Sequence, residues 1–251
     1  LIMKTILRSL ILLEEPAKYL GLELDVYQIR IISALVMLIA ASALDVWKRE
    51  VHDILWIIFG AIAIILIFVE SLSDQVLTEE VFSLIIAPIA LVLWRMGLFG
   101  GADAFSLIVL AALAPQLTLT ENFVTPLTTL TNAALLSIAI LLVNFIRNLI
   151  AILNHIDVFA GFDENKFRKI CAMFLGYRST NPKYGFSIEK SDGVHKKLDF
   201  AIHHAEKTEF CKTKDTWVTP GIPFMIYITA GFVVQLIFGD IVINAITTIL
   251  Q

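Results

Sequence analysis

Residues 31–53 read IISALVMLIAASALDVWKREVHD, and the change of character at residue 45 decides the fold. Fourteen residues without a charge give way to Asp45-Val46-Trp47-Lys48-Arg49-Glu50. An apolar run from Tyr27 to Leu44 is long enough to cross a bilayer and ends at a charged boundary marked by a tryptophan. Working outward, five more stretches have this character: Ile54 to Ser71, Val81 to Met96, Ala104 to Leu119 with Pro115 late in it, Leu127 to Leu153, and a run that starts at Thr219-Pro220-Gly221 and passes Phe238. A spanning helix needs about 20 apolar residues, or about 17 when upright. The runs are too long and continuous for strands, and lipid leaves no partner for irregular backbone. The reading is an all-α membrane protein of six transmembrane helices.

Composition agrees. Of 251 residues, 58% are hydrophobic and 17% charged, and the mean hydropathy is +0.82, which excludes an ordinary soluble globule. A net charge of −4 gives no footing for nucleic acid. Charge concentrates in residues 154–217, where eleven Lys or Arg and nine Asp or Glu fall. That insertion, between helices five and six, is expected to be a small cytoplasmic α+β subdomain, helical over Glu164 to Phe174 and extended over Tyr184 to Ile188, in contact with membrane lipid. Four segments result: 1–26, an N-terminal interfacial segment or an extension; 27–153, helices one to five; 154–217, the subdomain; and 218–251, helix six and the C-terminal residues. Cys171 and Cys211 form no disulfide framework. Adjacent His203 and His204 point apart, and with His195 they find no completing ligand. No metal or cofactor is expected.

Lys and Arg set the orientation. The connections after spans one, three and five carry Lys48, Arg49, Arg95, Arg147 and the basic residues of the insertion; those after spans two and four carry only Glu70, Asp74, Glu79, Glu80 and Glu121. The first set is therefore cytoplasmic. Lys4, Arg8, Lys18 and Arg30 disagree, since they fall on the side assigned as external.

Carboxylates at the ends of spanning helices are costly and so informative. Asp45 closes the first span. Asp103 opens the fourth, in Gly97-Leu98-Phe99-Gly100-Gly101-Ala102-Asp103-Ala104. Both fall on the cytoplasmic face, where they can meet; Asp240 lies toward the far end of the sixth span and cannot join them. The plain alternative for Asp103 is a helix cap. For Asp45, at a helix C-terminus whose dipole disfavours an anion, it is an ion pair with Lys48 or Arg49. Two carboxylates within reach of one another at a half-dry boundary share a proton. One then takes a proton from attacking water while the other, protonated, polarises a peptide carbonyl. Gly100 and Gly101 allow close approach of a backbone.

These residues resemble the archaeal preflagellin and prepilin peptidases, membrane aspartic proteases of the Gly-x-Gly-Asp type. Asp45, Arg49, Val51 and Asp53 match the first motif, with Lys48 one place offset; Gly100-Gly101-Ala102-Asp103 matches the second, with Ala102 departing at the third position. Trp217-Val218-Thr219-Pro220-Gly221-Ile222-Pro223-Phe224 also looks like the family. The resemblance covers residues 27 to about 240. It implies catalytic Asp45 and Asp103, and as substrates precursors of archaellins or type IV pilin-like subunits, cut after a Gly that follows a basic leader. It also implies a multi-pass protein of the cell membrane with its active site facing the cytoplasm. Bacterial relatives methylate the new N-terminus through paired Cys-x-x-Cys motifs, which are absent here, so proteolysis alone is expected. A basic leader calls for acidic groups near the site, and Glu50 and Asp53 are the candidates; pairing with Lys48 and Arg49 is the alternative. The rival class is a proton- or cation-coupled transporter using the same carboxylates.

Overall fold

The computed structural model describes residues 25–70, 74–119, 122–191, 196–200 and 208–250. Most of the N-terminal segment, together with His195, His203 and His204, lies outside them. The helices are α1 (Val26–Lys48), α2 (Asp53–Val69), α3 (Asp74–Ser83), α4 (Ile86–Arg95), α5 (Gly101–Leu113), α6 (Thr128–Leu153), α7 (Lys166–Leu175), α8 (Met225–Phe238) and α9 (Ile241–Leu250). Five short strands lie between α7 and α8: β1 (Tyr177–Ser179), β2 (Gly185–Ser187), β3 (Glu189–Ser191), β4 (Lys196–Leu198) and β5 (Thr216–Pro220).

The apolar runs become helices much as their composition dictates. Three are long and apolar enough to cross a membrane, Val26–Lys48, Leu77–Arg95 and Thr128–Leu153, and α8 with α9, bent by 46°, make a fourth if taken as one span. Asp53–Val69 and Gly101–Leu113 are shorter apolar helices. Large side chains such as Ile39, Ile57, Phe68 and Val143 stand exposed along these helices, a surface suited to lipid and ruinous in water. The chain is a mostly helical membrane protein with a small strand-bearing subdomain.

Prolines account for two departures. The span from Leu77 breaks at residues 84 and 85, because Pro88 has no amide for the Leu84 carbonyl; Ala87 N takes it instead at 3.0 Å. The fourth run was expected to reach Leu119. It stops at Leu113, since Ala114 precedes Pro115 and leaves helical geometry at φ −139°. The chain beyond lies against α8, where Leu119 N donates to Leu236 O at 2.7 Å. The expected helix start at Thr219-Pro220 is also corrected. Both residues are in β5, with Thr219 opposite Phe186 and Pro220 opposite Gly185, and the helix begins at Met225.

The buried core runs between α1, α2, α4, α5 and α8. α6 and α8 approach closely at Gly231, where a methyl group would stand 2.6 Å from Thr129 O. Asp240 lies at the α8–α9 bend, fully buried, and accepts hydrogen bonds from Thr128 (3.2 Å), Thr131 (3.0 Å) and Ile243 N (3.0 Å).

The subdomain is built on the end of α6. Asn148 donates to Met173 O and Gly176 O at 2.9 and 2.7 Å, and Phe145 stacks on Phe174. One antiparallel sheet has the order β1-β5-β2; β3 and β4 pair separately. Its centre is Trp217, fully buried, stacked on Phe159 at 4.8 Å and donating to Val158 O at 2.7 Å.

Candidate active site

Asp45 is set by the last turn of α1. That helix is fastened to α8 by Ser42 and Thr229, whose hydroxyls lie 2.7 Å apart. The fastening holds half-buried Asp45 beside the start of α8, where the Met225 amide bonds toward it and Arg49 acts on it electrostatically. No direct ion pair links Asp45 to Lys48 or Arg49 among the described residues.

Arg49 instead reaches across the molecule. It adopts left-handed backbone geometry, φ 60°, which costs a non-glycine residue about 1 kcal/mol. Its side chain donates to Gly221 O at 2.7 Å and lies over the Tyr184 ring, 4.7 Å from the centroid. The end of α1 is thereby pinned to the β5–α8 connection and to the subdomain.

Asp103 stands in the first turn of α5, 9% exposed. Its Oδ2 accepts from Gly100 N at 3.1 Å, so it does cap its own helix, and the negative charge is favoured there by the helix dipole. A side chain at residue 100 would crowd that same oxygen, its Cβ 3.3 Å away. The glycine therefore serves the aspartate's placement as well as access.

One cavity of ≈ 730 Å³ collects these residues. Asp45, Glu50, Asp53, Gly100, Gly101, Ala102 and Asp103 all line it. Asp45 and Asp103, from two helices far apart in sequence, thus line a common space. Glu50 and Asp53 are exposed, and among the described residues neither makes an ion pair with Lys48 or Arg49. Asp240 is not in the lining. No cluster of three or more His, Cys, Asp or Glu arranged for a metal occurs among the described residues.

Sequence reasoning missed the aromatic share of the lining: Trp94, Phe99, Phe105, Phe186, Phe210 and Phe224. Phe99 and Phe224 pair at 5.3 Å and Trp94 with Phe105 at 5.7 Å. Phe99 and Phe224 fall in stretches already singled out; for Phe186 and Phe210 the sequence offered no signal.

The family described as Archaeal Peptidase A24 C-terminus Type II matches residues 146–241, which include the subdomain and α8. The preflagellin peptidase of Methanocaldococcus jannaschii is 27% identical over 230 residues, covering 82% of this chain and 92% of that protein. That of Methanococcus maripaludis is 26% identical over 227 residues, covering 82% and 94%. Over most of its length the chain is similar to these two preflagellin peptidases, the group its two aspartate motifs resemble.

Proposed function

We propose that this protein is a membrane-embedded aspartic endopeptidase that removes the basic leader of archaellin or type IV pilin-like precursors, cutting after a Gly at the cytoplasmic membrane boundary and leaving the new N-terminus unmethylated. The observation that carries the reading is the cavity shared by Asp45, Asp103 and the Gly100-Gly101 turn. In the reaction one carboxylate accepts a proton from water as its oxygen adds to the scissile carbonyl. The other, protonated, donates a hydrogen bond to the developing oxyanion, and a proton then passes to the leaving amine as the C–N bond breaks. Carboxylates differing in burial, Asp103 nearly closed off and Asp45 half open, suit a division into acid and base.

The exposed carboxylates Glu50 and Asp53 at the cavity rim offer a basic leader complementary charge. A hydrophobic helix following the cleavage point would lie in the membrane, and we read all six apolar segments as crossing it, α2 by its 17 residues and α5 together with the chain to Leu119 that follows it. The transporter alternative finds no support in the named relatives. The deciding experiment incubates the purified protein with a pre-archaellin or prepilin and follows leader loss by mass. Cleavage after Gly that disappears in Asp45→Asn and Asp103→Asn is the expected result; full activity in either variant overturns the dyad.

A further inference from the structure

The helices do not enclose the cavity alone, because Phe186 on β2 and Phe210 beyond it, both from the subdomain, stand in the same lining as Asp45 and Asp103. Their rings stack, centroids 5.1 Å apart at 29°, and Phe210 meets Tyr184 edge to face at 5.6 Å. Backbone bonds fix the pair: Cys211 N donates to Gly185 O and Gly221 N to Tyr184 O, each at 2.7 Å. The rings close over the 221 backbone, where an added Cβ would lie 3.0 Å from Phe210 and 3.3 Å from Phe186. Both phenylalanines nevertheless remain half-buried and so are free to accept a further apolar group.

Charge decides what that group is. Aromatic faces attract cations as well as hydrocarbon, but Arg49 already lies over Tyr184 and bonds Gly221 beside the pair. A second cation brought there would meet its repulsion. The carboxylates Glu50, on the α1–α2 connection, and Asp53, at the start of α2, are the cavity's groups for a basic chain.

We infer that Phe186 and Phe210 form an apolar subsite through which the subdomain selects the side chain next to the scissile bond on its membrane-entering side. The inference rests on the peptidase reading and deepens it: the insertion is a wall of the active site, in register with Asp45 through the Arg49 contacts.

The test uses two precursors that differ only in the residue following the cleavage point, Leu or Ala, with the full protein in lipid nanodiscs. Wild type is expected to favour Leu in kcat/KM by at least about tenfold, the discrimination a hydrophobic pocket gives for a few methylenes. Phe186→Ala and Phe210→Ala should each bring the ratio within about twofold of unity, and Phe210→Leu should restore part of it. Because both substrates meet the same sample, partial unfolding cancels. A ratio unchanged in both alanine variants overturns the subsite, as does a wild type indifferent to Leu or Ala. A second arm measures binding of the same two precursors, fluorescently labelled, to Asp103→Asn, with no cleavage required. Tighter binding of the Leu form, lost in the Phe210→Ala double variant, upholds the subsite even if wild type cuts neither precursor, an outcome that would fail only the peptidase reading. Equal binding of both forms overturns the subsite whatever the activity.

Discussion

The two ends of α1 carry charge in opposite ways. Near its start, Arg30 is 1% exposed and ion-paired with Glu70 at 2.7 Å and Glu80 at 2.9 Å. Its Nη1 also faces Ala112 O and Leu113 O at 3.3 Å, at the end of α5, where a cation complements the helix dipole. Fifteen residues on, about 22 Å along the helix axis, Asp45 has no cation in direct contact among the described residues and opens on a cavity. One end joins α1, α2, α3 and α5 by an ion network; the other sets Asp45 on a cavity that Asp103 also lines. Burial of charge by itself says little about function, and the difference lies in whether each group's partners are already present.

Variants sharpen this contrast. Asp45→Asn and Asp103→Asn are expected to lower leader cleavage by about 10³-fold or more, the scale of general acid–base chemistry with one partner removed, while the thermal midpoint in detergent moves little. Asp240→Asn should do the reverse, lowering the midpoint through its bonds to Thr128 and Thr131 and sparing cleavage per folded molecule. If Asp240→Asn abolished cleavage at full stability, the division between structural and catalytic carboxylates would be wrong. At the other end, Arg30→Met strands two glutamates and should cost about 3 kcal/mol of stability. Adding Glu70→Gln and Glu80→Gln should recover much of that loss, since the stranded charge goes with them.

What the sequence reveals here follows from the range over which each cause acts. Apolar runs and the scarcity of charge are local, so the helices are legible, as is the position of Asp45 and Asp103 near helix ends. Pro115 is local too, yet its effect on Ala114 was outweighed in the reading by the hydropathy of the run that contains it. The assignment of Thr219 and Pro220 to a helix fails because their partners in β2 are more than thirty residues away, and nothing in a Thr-Pro pair announces a strand edge. Arg30 read as a flanking charge on the wrong side of the membrane; its neutralising partners come from α2 and α3, which only packing brings together. Phe186 and Phe210 are two of seventeen phenylalanines and become part of a site only through β5 and Arg49.

A smaller effect concerns the rim. Asp53→Ala and Glu50→Ala should each reduce the preference for basic over neutral leaders by a few-fold to about tenfold, in keeping with exposed charges acting across partly screened distances. The preference should fall further as salt rises; equal processing of both leaders by wild type and variants would remove these residues from recognition.

The smallest expected effect lies in the subdomain that carries the aromatic wall. Glu189 accepts from Thr216 Oγ1 at 2.9 Å and Trp217 N at 3.2 Å and pairs with Lys196 at 2.7 Å. Burial alone would raise its pKa, but these donors together hold it below the ordinary 4.5. A carboxyl lowered on folding stabilises the folded state above its unfolded pKa, and that contribution is lost as pH falls from 4.5 through the folded value. Asp215, lowered by its bonds to Arg178, acts in the same sense. Acidification below about pH 4.5 should therefore loosen β5 from β3 and β4, read as earlier proteolytic nicking in the subdomain, with α1 and α6 still intact. Glu189→Gln should flatten that pH dependence at a cost of about 1–2 kcal/mol at neutral pH, the worth of hydrogen bonds to a charged group. Since β5 runs into Gly221 and Arg49 grips that glycine, the same acid range should also erode selection at Phe186 and Phe210.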